Sequence, residues 1–158
     1  MFALRQIVKK HLKGVYMLIR YNAFLKYILL FLVGGYAYGA IEIISRGYSH
    51  ISMMIAGGIC FILIGLINEV GSKQISLLSQ MAISAAIITV VEFVTGLIVN
   101  VWLDLKVWDY SDQPFNIMGQ VCILFTIIWF LISPLAIFLD DYIRYYFLGE
   151  DKPRYKVF

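Results

Sequence analysis

Glu92 is a carboxylate inside an apolar run, and the polar residues after it keep helical spacing. Thr95, Gly96 and Asn100 stand three, four and eight positions on in E-F-V-T-G-L-I-V-N, so all of them share one face of a helix. A polar, aromatic-rich stretch follows, W-D-Y-S-D-Q-P-F-N-I-M-G-Q over 108–120. Glu92 lies several residues below the end of its run, roughly 10 Å deep at helical rise. A charge at such depth costs at least ~2.5–3.5 kcal/mol, so it is expected to face the interior and to find a partner or a proton. The chemistry open to it is capture of a cationic ligand or exchange of a proton.

Other polar residues are placed to join it. Glu42 follows Gly35 and Gly39 on one helical face, and Arg46 comes one turn later, within reach of a four-residue ion pair. His50 opens the next apolar run. Trp108, Asp109, Tyr110, Ser111 and Asn116 come from the polar stretch. Together with Glu92, Thr95, Asn100, Glu42, Arg46 and His50 they form a candidate ligand or coupling site. Glu92 could be held by Arg46 or His50, which would lock helices together instead. Ser49 or Ser111 with His50 and Asp109 supplies the residue types of a hydrolase triad, but the spacing of a nucleophile elbow is absent. A metal site is weakly supported, because the only other histidine is His11 and no H-x-x-x-H occurs. Arg46 and the start of the last run near Asn116–Gly119 could meet a phosphate. No catalytic residue, cofactor or metal is assigned.

The elements that must position these residues are membrane spans. The chain is 61% hydrophobic and 15% charged, with a mean hydropathy of +0.83, too apolar for a soluble domain of this length. Four runs, about Leu25–Ile44, Ile51–Ile67, Leu77–Val99 and Val121–Leu139, are long enough to cross a ~30 Å hydrocarbon core. The sequence therefore predicts an all-α integral membrane protein, a four-transmembrane-helix bundle with an N-terminal basic amphipathic helix. Residues 1–23 supply that helix: Arg5, Lys9 and Lys13 recur on one face among apolar residues, as in a helix lying on an anionic leaflet. Residues 24–142 form the bundle and 143–158 a charged tail. Gly35 and Gly39 make a G-x-x-x-G, and Gly58 and Gly65 line the second span. Such residues are expected at close helix–helix contacts, where lipid offers no hydrophobic drive. Pro134 removes an N–H from the fourth span, so a kink is expected near Phe130–Pro134. Cys60 and Cys122 sit in apolar runs, where thiols act as small hydrophobes and imply no disulfide.

Basic residues orient the bundle. Arg5, Lys9, Lys10, Lys13, Arg20 and Lys26 precede or begin the first span, Lys73 lies in the second link, and Arg144, Lys152, Arg154 and Lys156 follow the last span. Only Arg46 and Lys106 lie on the opposite side. The bias predicts a multi-pass protein of the cell membrane with both termini cytoplasmic. Trp102 and Trp108 are then expected at the outer interface, and Glu69 at an inner helix terminus.

The succession R-G-Y-S-H-I-S-M (46–53), G-G-I-C-F-I-L-I-G-L-I-N-E (57–69), E-F-V-T-G (92–96) and W-D-Y-S-D-Q-P-F-N-I-M-G-Q (108–120) resembles the type IV ABC-transporter permease family of small bacterial membrane proteins. The resemblance covers about Gly34 to Ser133 and implies transport, with no substrate carried over. The chain contains no G-x-x-x-x-G-K-[ST] phosphate loop, so any ATPase would be a separate polypeptide. The expectation is a permease or transporter component with an outward-opening polar crevice. Its partners would be the lipid bilayer, further copies of itself, or a membrane or ATPase subunit, and no nucleic acid. The alternative is a non-transporting accessory or regulatory membrane protein, with an intramembrane enzyme behind it. Orientation is directly testable. Single cysteines introduced as Ser72→Cys and Asp112→Cys, without Cys60 and Cys122, are expected to label from opposite faces of the membrane. Labelling of both from outside would overturn the charge argument.

Overall fold

The computed structural model describes residues 14, 17, 18, 22–70 and 75–157. The amphipathic helix expected over residues 1–23 falls almost wholly outside them. Helix α1 spans Ala23–Arg46, α2 Ile51–Val70, α3 Leu77–Gly96 and α4 Ile123–Ile143. Each carries a stretch long and apolar enough to cross a membrane, so the protein is a multi-pass membrane protein with four spans among the described residues. Two of the helices continue as wider π-helical turns, α3 through Leu97–Trp102 and α4 through Arg144–Leu148. Between α3 and α4, a loop carries the only strand pair among the described residues. It joins β1 (Asn116–Ile117) and β2 (Val121–Cys122) antiparallel, with Asn116 opposite Cys122.

Local signals set the helix ends. Asn22 Oδ1 accepts from the N–H groups of Phe24 and Leu25 at 3.0 and 3.3 Å, capping α1. The helix closes at Gly47, whose φ of 83° suits a residue without a Cβ. Ser76 Oγ caps α3 by accepting from Ser79 N, and His50 does the same for α2, its Nδ1 accepting from Ser52 N at 3.3 Å. Pro134 sits inside α4, which runs unbroken from Ile123 to Ile143. The proline leaves the Phe130 carbonyl without its ladder donor, and the Ser133 hydroxyl supplies one at 2.9 Å. In lipid a side-chain repair of this kind is what lets a span keep a proline.

Polarity runs opposite to that of a soluble bundle. Glu42, Ser84, Glu92, Ser133 and Asp140 are buried, whereas Val90, Leu131 and Leu135 are exposed. Apolar side chains lose nothing by facing hydrocarbon, while polar groups must be satisfied inside. The apolar centre is built from Cys60, Ile64, Ala85, Ile88, Trp129 and Ile137.

Helix α1 packs along α2, α2 against α3 and α4, and α3 against α4. The first of these contacts is made through glycine. A Cβ on Gly35 would lie 2.6 Å from the Met54 carbonyl oxygen, and one on Gly58 2.7 Å from that of Phe31. A Cβ on Gly39 would meet the flexible Met54 side chain at 3.2 Å and Ser49 Oγ at an ordinary 3.7 Å. Gly65 admits the Asp140 carboxylate of α4. Gly35→Ala is therefore expected to destabilise the bundle by ~1–3 kcal/mol through overpacking, and Gly39→Ala to cost much less. Leucine at either position should disrupt the fold. Thermal unfolding in detergent reads the order, and equal stability of all four variants would mean that this face does not close on α2.

Candidate functional site

Glu92 is 3% exposed and sits where three helices meet. Its Oε1 accepts from the Tyr38 hydroxyl of α1 at 2.6 Å, and its Oε2 accepts from the Trp129 indole N–H of α4 at 2.8 Å. The two rings stack with centroids 5.5 Å apart and an interplanar angle of 29°. The expectation that Arg46 or His50 would hold this carboxylate is corrected: both partners are neutral donors. Arg46 Nη2 donates instead to Glu42 Oε1 at 2.5 Å, the pair anticipated from the four-residue spacing. Arg46 Nη1 donates to the Val107 carbonyl at 3.1 Å, and its guanidinium lies over the Tyr48 ring. Ser49 Oγ donates to the other Glu42 oxygen at 2.6 Å. The His50 ring is occupied with Ser52 at the start of α2.

Above Glu92 the polar stripe is packed against the loop. Thr95 is half-buried on α3. A Cβ on Gly96 would lie 2.5 Å from Gln120 Oε1 and 3.1 Å from the Trp108 ring. Asn100 lies in the π turn and holds the loop at two points: its Nδ2 donates to Gln120 Oε1 at 2.8 Å, and its Oδ1 accepts from Val107 N at 2.7 Å. Trp108 is buried, its indole donating to the Gln120 carbonyl at 2.8 Å. It therefore plugs the end of the bundle and is not an interfacial side chain, while Trp102 stays exposed.

The rest of the loop binds to itself. Asp109 Oδ1 accepts from both the hydroxyl and the N–H of Ser111, at 2.5 and 2.8 Å. These bonds hold the Asp109 carboxyl below its ordinary range. Asn116 donates to the carbonyls of Ser111 and Gln113 and accepts from Gly119 N at 3.0 Å. Tyr110 stacks on Phe125 at 4.5 Å, and burial pushes its phenol up. Of the expected site residues, Asn100, Trp108, Asp109, Ser111 and Asn116 thus shape the loop, and Glu92 stands apart with Tyr38 and Trp129.

The opposite end holds a second polar cluster that the sequence reading passed over. Asp140, fully buried, accepts from Arg144 Nε at 2.5 Å. Arg144 also reaches Glu69, which pairs with Lys26 at 3.2 Å, and Lys26 reaches Glu150. Asp141 accepts from Asn68 at 3.2 Å and from the Tyr155 hydroxyl at 2.8 Å. Glu69 is thus a junction between helices and not merely a helix terminus. The available signal was Asp140 and Arg144 at four-residue spacing, masked because Arg144 also serves as a topology-setting charge. Among the described residues, no group of three His, Cys, Asp or Glu side chains is placed to hold a metal ion.

The fold and the buried carboxylate define a small polytopic membrane protein whose polar groups are gathered inside its bundle. The model of the family described as "Putative ABC-transporter type IV" matches residues 15–149, and the chain belongs to that family. No curated protein and no solved structure matches it.

The ion cluster makes its own prediction. Arg144→Leu strands the Asp140 carboxylate and is expected to lower stability by ~3–5 kcal/mol. The double variant Asp140→Leu/Arg144→Leu should recover most of that loss, as denaturant or thermal unfolding would read. A single variant as stable as the parent would show that Asp140 is held without Arg144.

Proposed function

We propose that this chain is a permease-like transporter component in which Glu92 binds the ligand or couples its passage. Its termini would lie on the cytoplasmic side, and it would act as an oligomer or beside a partner subunit such as an ATPase. One observation carries the reading: a carboxylate buried among membrane spans is held by neutral donors from two other helices, and among the described residues no cation is hydrogen-bonded to it. A purely structural carboxylate is better served by a charged partner, because an unpaired buried charge is costly. Outward release would need the unit of Trp108, Gln120 and Asn100 to lift from Gly96. The polar crevice toward the outer face would then belong to an opened state.

An accessory or regulatory role is favoured by a different observation, the use of Asp109, Ser111 and Asn116 in hydrogen bonds within their own loop. On that reading Glu92 only ties helices together.

Glu92→Gln separates the two. The amide oxygen can accept from Trp129, and the NH₂ can donate to the Tyr38 hydroxyl, which also accepts. No cation is stranded, so the stability loss should be small, ~1 kcal/mol. The uptake or growth phenotype of the parent should nevertheless disappear. Full activity at unchanged stability would remove Glu92 from the function.

A further inference from the structure

We propose that the seam between α1 and α4 is a lateral binding site for an organic cation. The ligand would be quaternary or charge-delocalised with an apolar body, drawn from the bilayer and held over Tyr38 and Trp129 by the charge of Glu92. The inference rests on the reading of Glu92 as the functional carboxylate, and adds a substrate class and a route.

The seam is open because α1 and α4 make little direct backbone contact while both lie against α2. Between them is a cleft of about 140 Å³, walled by Gly34, Ile41, Tyr38, Trp129, Leu135 and Leu139 among others. Its rims, Ile41 and Leu135, are exposed to the hydrocarbon that surrounds a membrane span. The cleft is smaller than the ~300–1,000 Å³ usual for a ligand pocket. One arm of a bulky molecule would enter it, the rest staying in lipid.

The wall selects by chemistry. Tyr38 and Trp129 turn their polar atoms away from the cleft, to Glu92. Ser133, also on the wall, turns its hydroxyl to the Phe130 carbonyl. A ligand that must donate or accept hydrogen bonds would lose them on binding, which disfavours neutral polar molecules and primary ammonium ions. A cation without N–H groups loses none, and it gains contact with the parts of the stacked Tyr38 and Trp129 rings that line the cleft.

Charge complementarity points the same way. Glu92 lies one hydrogen bond behind those rings, and the nearby Arg46 is already paired with Glu42. With Glu92 ionised, the unpaired charge behind the cleft is negative.

The test uses the full-length chain in lipid nanodiscs and equilibrium binding of two ions of one shape, tetraphenylphosphonium and tetraphenylborate. The cation is expected to bind saturably and the anion at least about tenfold more weakly. Glu92→Gln should weaken the cation by a similar factor. Leu135→Trp, which fills the cleft from a lipid-facing position and touches none of the Glu92 hydrogen bonds, should do the same. It keeps the test decisive if the glutamine variant fails to fold. Equal binding of the two ions would reduce the seam to an apolar groove and overturn the proposal. So would a parent that does not bind the cation, or unchanged cation affinity in Leu135→Trp. If the parent binds no cation yet Glu92→Gln still abolishes the cellular phenotype, the lateral site falls and the role of Glu92 stands.

Discussion

The bridge from Tyr38 through Glu92 to Trp129 is the constraint on which the loop half of the bundle depends. Hydrocarbon offers no hydrogen bonds, so each polar group inside it must be met by the protein. Glu92 meets this demand by drawing α1 and α4, which otherwise hardly touch, onto α3. The geometry is prepared one layer further out. A Cβ on Gly57 of α2 would collide with Cβ and Cγ of Tyr38. The missing side chain at Gly57 therefore leaves room for the base of the Tyr38 side chain, whose hydroxyl reaches the carboxylate.

The two ends of the bundle solve the same problem differently. At the loop end, side chains of Asn100, Gln120, Arg46 and Trp108 bond mostly to backbone groups of the loop. This fixes a segment in which Asp104, Lys106, Phe115 and Met118 all hold positive φ, a conformation that L-residues keep only when their surroundings insist. At the other end, charges meet charges across α1, α2 and α4, and the tail is tied back through Leu77 N to the Lys156 carbonyl at 2.7 Å.

Much of the architecture was legible because membrane spans are written in composition. Runs of apolar residues set four helices, and the structure extends them by a few residues, except that the last begins at Ile123, after β2, and not at Val121. The Glu42–Arg46 pair was legible because its spacing is local. The partners of Glu92 were not, because Tyr38 and Trp129 lie 54 and 37 positions away. An aromatic in a span also reads as lipid-facing bulk or core packing until its N–H or O–H is seen to have a target. The W-D-Y-S run illustrates the converse limit. Its polar residues suggested a binding surface, yet Asx-type bonds within a turn draw on the same residue types.

The difference between the ends has a consequence for how the molecule senses its surroundings. Lys26, Glu69 and Glu150 keep part of their side chains in contact with solvent, within reach of mobile ions whose screening length is about 8 Å at physiological strength. The Glu92 bridge is sealed from water and its donors are neutral, so dissolved salt has little purchase on it. Ionic strength therefore acts on the ion pairs at the two ends and not on the Glu92 bridge, and the thickness and fluidity of the surrounding lipid bear on the seam beside Tyr38 and Trp129. The bundle is addressed by water at its ends and by the bilayer at its flank.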